Sequence, residues 1–247
     1  MSTVGALPVV LAIDGPASSG KSSVAKGVAG RCGFDYVDTG AMYRAVTWAV
    51  LEAGIDLADA DGIAACAQRV APQLVWSSDP TAPAIYIGAL DLTKEIREPQ
   101  VTAAVSAVSA VPATRAALVA RQREAVAQAV SEGRGVIMEG RDIGTVVLPT
   151  ADVKVWLYAE PAVRAARRVA EDQQAGRVSA LSVEDMAVDL ARRDAADGSR
   201  ADSPTRQADD AVAVDATDLN LDQVIDSVVA LVDAHVTTTN PLSKEQL

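Results

Sequence analysis

Gly15-Pro16-Ala17-Ser18-Ser19-Gly20-Lys21-Ser22 matches G-x-x-x-x-G-K-[ST] at every fixed position. The pattern describes a loop whose glycines let the backbone wrap closely around a phosphate chain while successive N–H groups point at the oxygens. Lys21 is expected to reach the β- and γ-phosphates, and the Ser22 hydroxyl to ligate Mg²⁺. The mechanism needs a strand before the loop and a helix after it. Val9-Val10-Leu11-Ala12-Ile13 reads as a buried parallel strand and Ser23-Val24-Ala25-Lys26-Gly27-Val28-Ala29 as a helix, so the context is met.

Outward from the loop, strand-like and helix-like stretches alternate. Phe34–Val37 reads as a short strand, followed by a helix to about Ala53 that either Asp38 or Thr39 can cap. Residues 56–70 carry helical spacing. Leu74–Ser77, Ala84–Ile87 and Leu90–Leu92 are short strands between turns at Asp79-Pro80 and Gly88, the signature of an antiparallel insertion. Val101–Ser131 is Ala- and Val-rich helix interrupted at Pro112, which suits the first turn of a second helix. Gly135–Glu139, Val153–Tyr158 and Ala211–Asp215 read as further parallel strands, with helices at Pro161–Gly176, Val183–Asp197 and Leu219–Val236 and a polar tail. The fold class implied is α/β: a five-stranded parallel sheet flanked by helices, with insertion and arginine-bearing helices as appendages of one domain over 1–247.

The net charge of −11 argues against a mainly electrostatic nucleic-acid or membrane partner. The two cysteines, Cys32 and Cys66, have no metal-site spacing, and the single histidine, His235, lies in a late amphipathic segment. Mechanisms that need a histidine base are therefore disfavoured. No charged leader or long apolar span is read, and a cytoplasmic location is expected.

The polar side chains left over from packing supply the site candidates: Thr39, Arg44, Ser106, Arg115, Arg141 and Asp142. Arg164, Arg167 and Arg168 fall at i, i+3 and i+4 on one helical face; a solvated face and a phosphate-binding role both fit that spacing. Arg193, Asp197 and Arg200, at i, i+4 and i+7, could place two guanidinium groups around one carboxylate. The ordinary reading is a salt-bridge ladder; the sharper one is a clamp for phosphate and sugar hydroxyls.

Four stretches together resemble the bacterial cytidylate kinases: Gly15–Ser23, Asp38-Thr39-Gly40-Ala41-Met42-Tyr43-Arg44, Glu139-Gly140-Arg141-Asp142-Ile143-Gly144-Thr145-Val146-Val147, and Arg192-Arg193-Asp194. The resemblance covers nearly the whole chain. It implies transfer of the γ-phosphoryl group of ATP to CMP or dCMP with Mg²⁺, a monophosphate-binding region at about 60–100 and a mobile lid at about 161–185. It also implies roles. Residues 15–23 would bind ATP; Arg44, Arg141 and Arg200 would hold the acceptor phosphate, with Thr39 near it. Ser106, Arg115 and Asp142 would read the cytosine, Arg193 and Asp197 would hold the sugar, and Arg164, Arg167 and Arg168 would serve the phosphates from the lid. Glu139 stands where many members have Asp, one methylene longer, as support for a Mg²⁺-bound water.

An acceptor phosphate is already a nucleophile, so this reaction needs alignment, charge neutralisation and exclusion of water rather than a strong base. A monomer is expected, with nucleotides as its partners. Two rivals are a GTPase-like switch and another small-molecule kinase of the adenylate or shikimate type. The first lacks its N-K-x-D motif, since the only asparagines are Asn220 and Asn240. The second is separated by the acceptor pocket.

Overall fold

A computed structural model describes residues 8–174, 181–200 and 202–239. Residues 175–180 of the expected lid and the tail from 240 lie outside the described residues. Five strands make one parallel sheet: β1 (Val10–Asp14), β2 (Asp35–Asp38), β6 (Val136–Gly140), β7 (Val153–Tyr158) and β8 (Val212–Asp215), in the order β2-β6-β1-β7-β8. Parallel pairing requires a crossover after each strand. The helices that supply or extend these crossovers are α1 (Lys21–Cys32), α2 (Thr39–Glu52), α3 (Ala60–Val70), α4 (Pro99–Ala110), α5 (Pro112–Ser131), α6 (Pro161–Gln174), α7 (Val183–Gly198) and α8 (Leu221–Thr239). The remaining strands, β3 (Leu74–Trp76), β4 (Ile85–Ile87) and β5 (Leu90–Asp91), form a separate antiparallel sheet in chain order.

The period-2 alternation of each central strand divides the core in two. Leu11, Ile13 and Ile137 face α1 and α8 with Val24, Val28, Ile225 and Val228. Ala12, Val136 and Met138 face the opposite layer with Met42, Val46, Ile63 and Leu118. Gly27 lets α1 and α8 approach closely, because a Cβ there would lie 2.2 Å from the Ile225 Cδ1. Pro112 starts α5 at a bend of 96° from α4, as a residue without an N–H does at a first turn. Among the described residues no single helix is long and apolar enough to cross a membrane.

Register positions the site. Asp38 pairs with Glu139, Ile13 with Glu139, and Asp14 with Gly140. The carboxyl ends of β2, β6 and β1 therefore finish at one level, and the three polar segments that follow them meet at one edge.

Candidate active site

The phosphate loop is built tightly into this edge. At Gly15, with φ of 155°, a Cβ would sit 2.0 Å from the backbone oxygen of Leu157 on β7, so only glycine fits. Gly20, with φ of 93°, turns the chain into α1. Lys21 lies buried under the loop and donates to Gly15 O at 2.9 Å, Pro16 O at 2.7 Å and Ser19 Oγ at 3.3 Å. Burial, reinforced by the Arg141 guanidinium, pushes its ammonium down to about 7.

The Ser22 hydroxyl donates to Glu139 Oε1, which also accepts from the Tyr36 hydroxyl at 3.1 Å. Burial, and then the nearby Asp38, push the Glu139 carboxyl up, against the Lys21 charge and the two hydroxyl bonds. A hydroxyl backed by a buried carboxylate is a hard-oxygen set that fits Mg²⁺, so the longer Glu139 still reaches the serine.

Asp38 settles the alternative left open at the start of α2, since its side chain accepts from Ala41 N at 2.9 Å. Thr39 instead donates to the Glu139 backbone oxygen at 2.7 Å, tying α2 to β6.

Beyond β6 the chain enters a single π-helical turn, Ile143–Val147. Arg141 and Asp142 sit at its mouth. Arg141 donates to Gly15 O at 2.8 Å and to Asp197 Oδ2 at 3.2 Å, linking the phosphate loop to α7. Asp142 and Arg115, both buried, pair with each other, and the Arg115 guanidinium lies 5.7 Å from the centre of the Tyr43 ring. Burial raises the Asp142 carboxyl, with Arg115, Ser203 and Arg200 opposing.

Between α4, α6 and α7 lies a cleft of about 440 Å³ bordered by Arg97, Thr102, Ser106, Arg168 and Arg193. Arg44 reaches its edge, donating to Thr102 Oγ1 at 2.7 Å and Ile96 O at 3.2 Å. Burial, then its positive neighbours Arg193, Arg168 and Arg97, lower Arg44 to about 10, against Asp38. So many guanidinium groups in one cleft of an acidic chain suit a polyanion.

The clamp differs from the spacing argument, because α7 ends at Gly198 and Arg200 lies beyond it, and the pairing differs too. Asp197 is shared by Arg200 and Arg141, while Arg193 crosses to the Thr102 backbone oxygen at 2.9 Å. Arg200 also reaches Ser109 Oγ at 3.0 Å, beside Ser106. Helical spacing specifies a face; it does not reveal which neighbouring element stands opposite each residue.

The three arginines of α6 part company as well. Arg164 is buried against the phosphate loop, donating to Ala17 O at 2.8 Å and to Asp194 Oδ2 at 2.6 Å. Arg168 pairs with Asp172 at 3.2 Å and borders the cleft. Arg167 turns away to the loop after β8, donating to Ala216 O at 2.6 Å.

Asp14, Arg97 and Asp194 are polar groups of this site that spacing does not single out. Asp194 accepts from Ala17 N at 2.8 Å and adjoins the arginines of α7; Asp14 ends β1 at the ligand edge. The available signals are the strand-end rule for Asp14 and, for Asp194, its place in the Arg192-Arg193-Asp194 stretch.

The cytidylate kinase family profile matches residues 11–234. This chain belongs to the cytidylate kinase family. A cytidylate kinase of Streptomyces avermitilis is 48% identical over 225 residues, covering 91% of this chain and 93% of the relative. One of Mycolicibacterium paratuberculosis is 49% identical over 91% of this chain and 95% of its own length. One of Nocardia farcinica is 46% identical over 94% and 96%. Membership makes the chain a nucleoside monophosphate kinase, with small nucleotides as its substrates.

Proposed function

We propose that this protein transfers the γ-phosphoryl group of ATP to the phosphate of CMP or dCMP, giving ADP and CDP or dCDP. The observation that carries the reading is the buried Arg115–Asp142 pair one residue from Arg141, which itself bonds to the phosphate loop. Base-reading and phosphate-holding groups thereby share one strand exit.

In this reading residues 15–23 cradle the ATP phosphates through backbone N–H groups, and Lys21 leaves its loop carbonyls for the β- and γ-oxygens. Ser22 would hold Mg²⁺ directly and Glu139 would orient a water bound to it; when bound, the ion neutralises phosphate charge. Arg44, Arg141 and Arg200 hold the acceptor phosphate, with Thr39 beside it; Arg193 and Asp197 hold the sugar. Arg164 is the lid arginine nearest the transferred group, because it already touches Ala17. Alignment and charge neutralisation supply the rate, and lid closure excludes water. One domain comprising core, insertion and lid carries all of these parts.

Cytosine offers an amino donor where uracil offers a carbonyl. Ionised Asp142 can only accept, so it suits the first and repels the second, while Arg115 and Ser106 supply donors. Asp142→Ala is expected to lower kcat/KM for CMP by about tenfold or more and to narrow the CMP-to-UMP ratio, as loss of one charge-assisted hydrogen bond requires. Steady-state kinetics on both nucleotides checks this. Equal losses on both would mean that Asp142 supports the pocket without reading the base.

A further inference from the structure

The π turn that carries Asp142 poses a hydrogen-bonding problem. Its first N–H groups have no partner within the turn, as at the start of any helix. An aspartate in the flanking position normally solves this by folding its own carboxylate back onto the second or third N–H. Asp142 occupies that flanking position, yet its carboxylate goes to Arg115 and makes no bond to the described N–H groups of its own turn.

Asp14 takes over the task from another strand. Its Oδ1 accepts from Ile143 N at 2.8 Å and its Oδ2 from Gly144 N at 2.7 Å, all in the buried interior. At the other end of the turn Arg123 donates from Nε to Val147 O and from Nη2 to Val146 O, both at 2.9 Å. A carboxylate thus holds the donors of the turn and a guanidinium its acceptors, which is also the favourable orientation for the turn's dipole.

We infer that Asp14 is a positioning residue for base selection: by capping the π turn in place of Asp142, it leaves the Asp142 carboxylate free to face Arg115 and the base. Arg123 supports the same turn from its far end. Remove the Asp14 carboxylate and two buried N–H groups lose their acceptor, which costs enough to draw a replacement. The nearest candidate in sequence is the Asp142 side chain in its ordinary capping role, and a capping Asp142 no longer reads cytosine. Because Asp14 directly precedes Gly15, the phosphate loop and the base reader are fixed from one strand end.

The inference rests on Asp142 reading the base, and a double-mutant cycle separates the two. Wild type, Asp14→Asn, Asp142→Ala and the double variant are assayed for kcat/KM on CMP and UMP, with thermal melting to verify folding. Asn keeps the shape of Asp14 but accepts at only one atom. Asp14→Asn is expected to narrow the CMP-to-UMP ratio by about tenfold and to narrow it no further once Asp142 is absent. If Asp14→Asn keeps the wild-type ratio, or narrows it equally in the Asp142→Ala background, the inference is overturned. If Asp142→Ala itself leaves the ratio intact, the base-reading role fails first. Arg123→Gln, on an exposed side chain, provides a second variant should Asp14→Asn not fold. It is expected to narrow the ratio by a smaller factor, and in that case an unchanged ratio overturns the inference.

Discussion

Asp194→Asn tests how the lid is joined to the phosphate loop. α6 and α7 meet the loop through a small apolar cluster, Ala17, Ala165, Met186 and Leu190, which is separate from both main cores. Four side chains, one of them on the loop itself, bury little area, so the polar contacts beside them matter. Asp194 accepts from Ala17 N at 2.8 Å with one oxygen and from Arg164 Nη1 at 2.6 Å with the other, while Arg164 returns a bond to Ala17 O at 2.8 Å. Both partners are largely buried, with side-chain exposures of 9% for Arg164 and 23% for Asp194, so little solvent screens the pair. An asparagine preserves the shape, but its NH₂ must face either the Ala17 N–H or the guanidinium, and one of the two bonds is lost. One unsatisfied buried donor together with a weakened charge-assisted bond amounts to about 2–3 kcal/mol. For a chain of this size that corresponds to a fall in Tm of roughly 5–10 °C. Arg164 then loses its fixed place against Ala17, so kcat is expected to fall more than KM for CMP rises. Circular-dichroism melting and steady-state kinetics on the same preparations read both effects. A variant that melts with wild type and keeps its kcat would refute the reasoning, because a contact that contributes neither stability nor placement is a surface ion pair.

Lys21→Ala is expected to lose about 10²-fold or more in rate while melting as a folded protein, since Lys21 acts on phosphate charge; near-normal turnover would remove the phosphate-loop assignment. The α6 arginines are expected to separate in kinetics as they do in space: Arg164→Ala lowers kcat most, and Arg167→Ala, facing Ala216, acts on stability with kcat little changed. Equal kcat losses for the two would contradict that division. Asp14 also gives a pH dependence with a definite sign. Burial raises its carboxyl from 3.8 to about 6, so its contribution to stability is present below about pH 4 and lost as pH rises through about 6. Asp14→Asn mimics the protonated form, so between pH 4 and 7 its stability is expected to gain on wild type by up to about 3 kcal/mol; a constant gap in urea unfolding across that range would refute the shift.

The layout of the fold was legible because fully buried parallel strands are written as short apolar runs, and Val153–Tyr158 coincides with β7 to the residue. Pro112 likewise marks the break between α4 and α5 through its missing N–H. The π turn was not legible, since five residues with i+5 bonding have no periodic signature distinct from a loop. In the site, Arg115 and Asp142 stand out in the sequence as polar side chains left over from packing, and the family resemblance gives both a base-reading role. Neither reading could show that they bond to each other, because that depends on α5 crossing beside the exit of β6. Asp38 and Thr39 are equally good caps on paper; the neighbouring β6 backbone, which takes the Thr39 hydroxyl, decides between them. The roles of Asp14 and of Asp194, the latter within a quoted stretch, are not legible in the sequence because each works through the backbone of a segment more than 100 residues away.

The most direct test of the central claim is ADP release by the wild-type protein, with ATP and Mg²⁺ present, across a panel of acceptors: CMP, dCMP, UMP, AMP and shikimate. The account predicts kcat/KM for CMP or dCMP well above that for UMP, because cytosine places a donor against Asp142 where uracil places a carbonyl, and AMP and shikimate are expected at background. Preferred turnover of AMP or shikimate, or equal turnover of CMP and UMP, would contradict it.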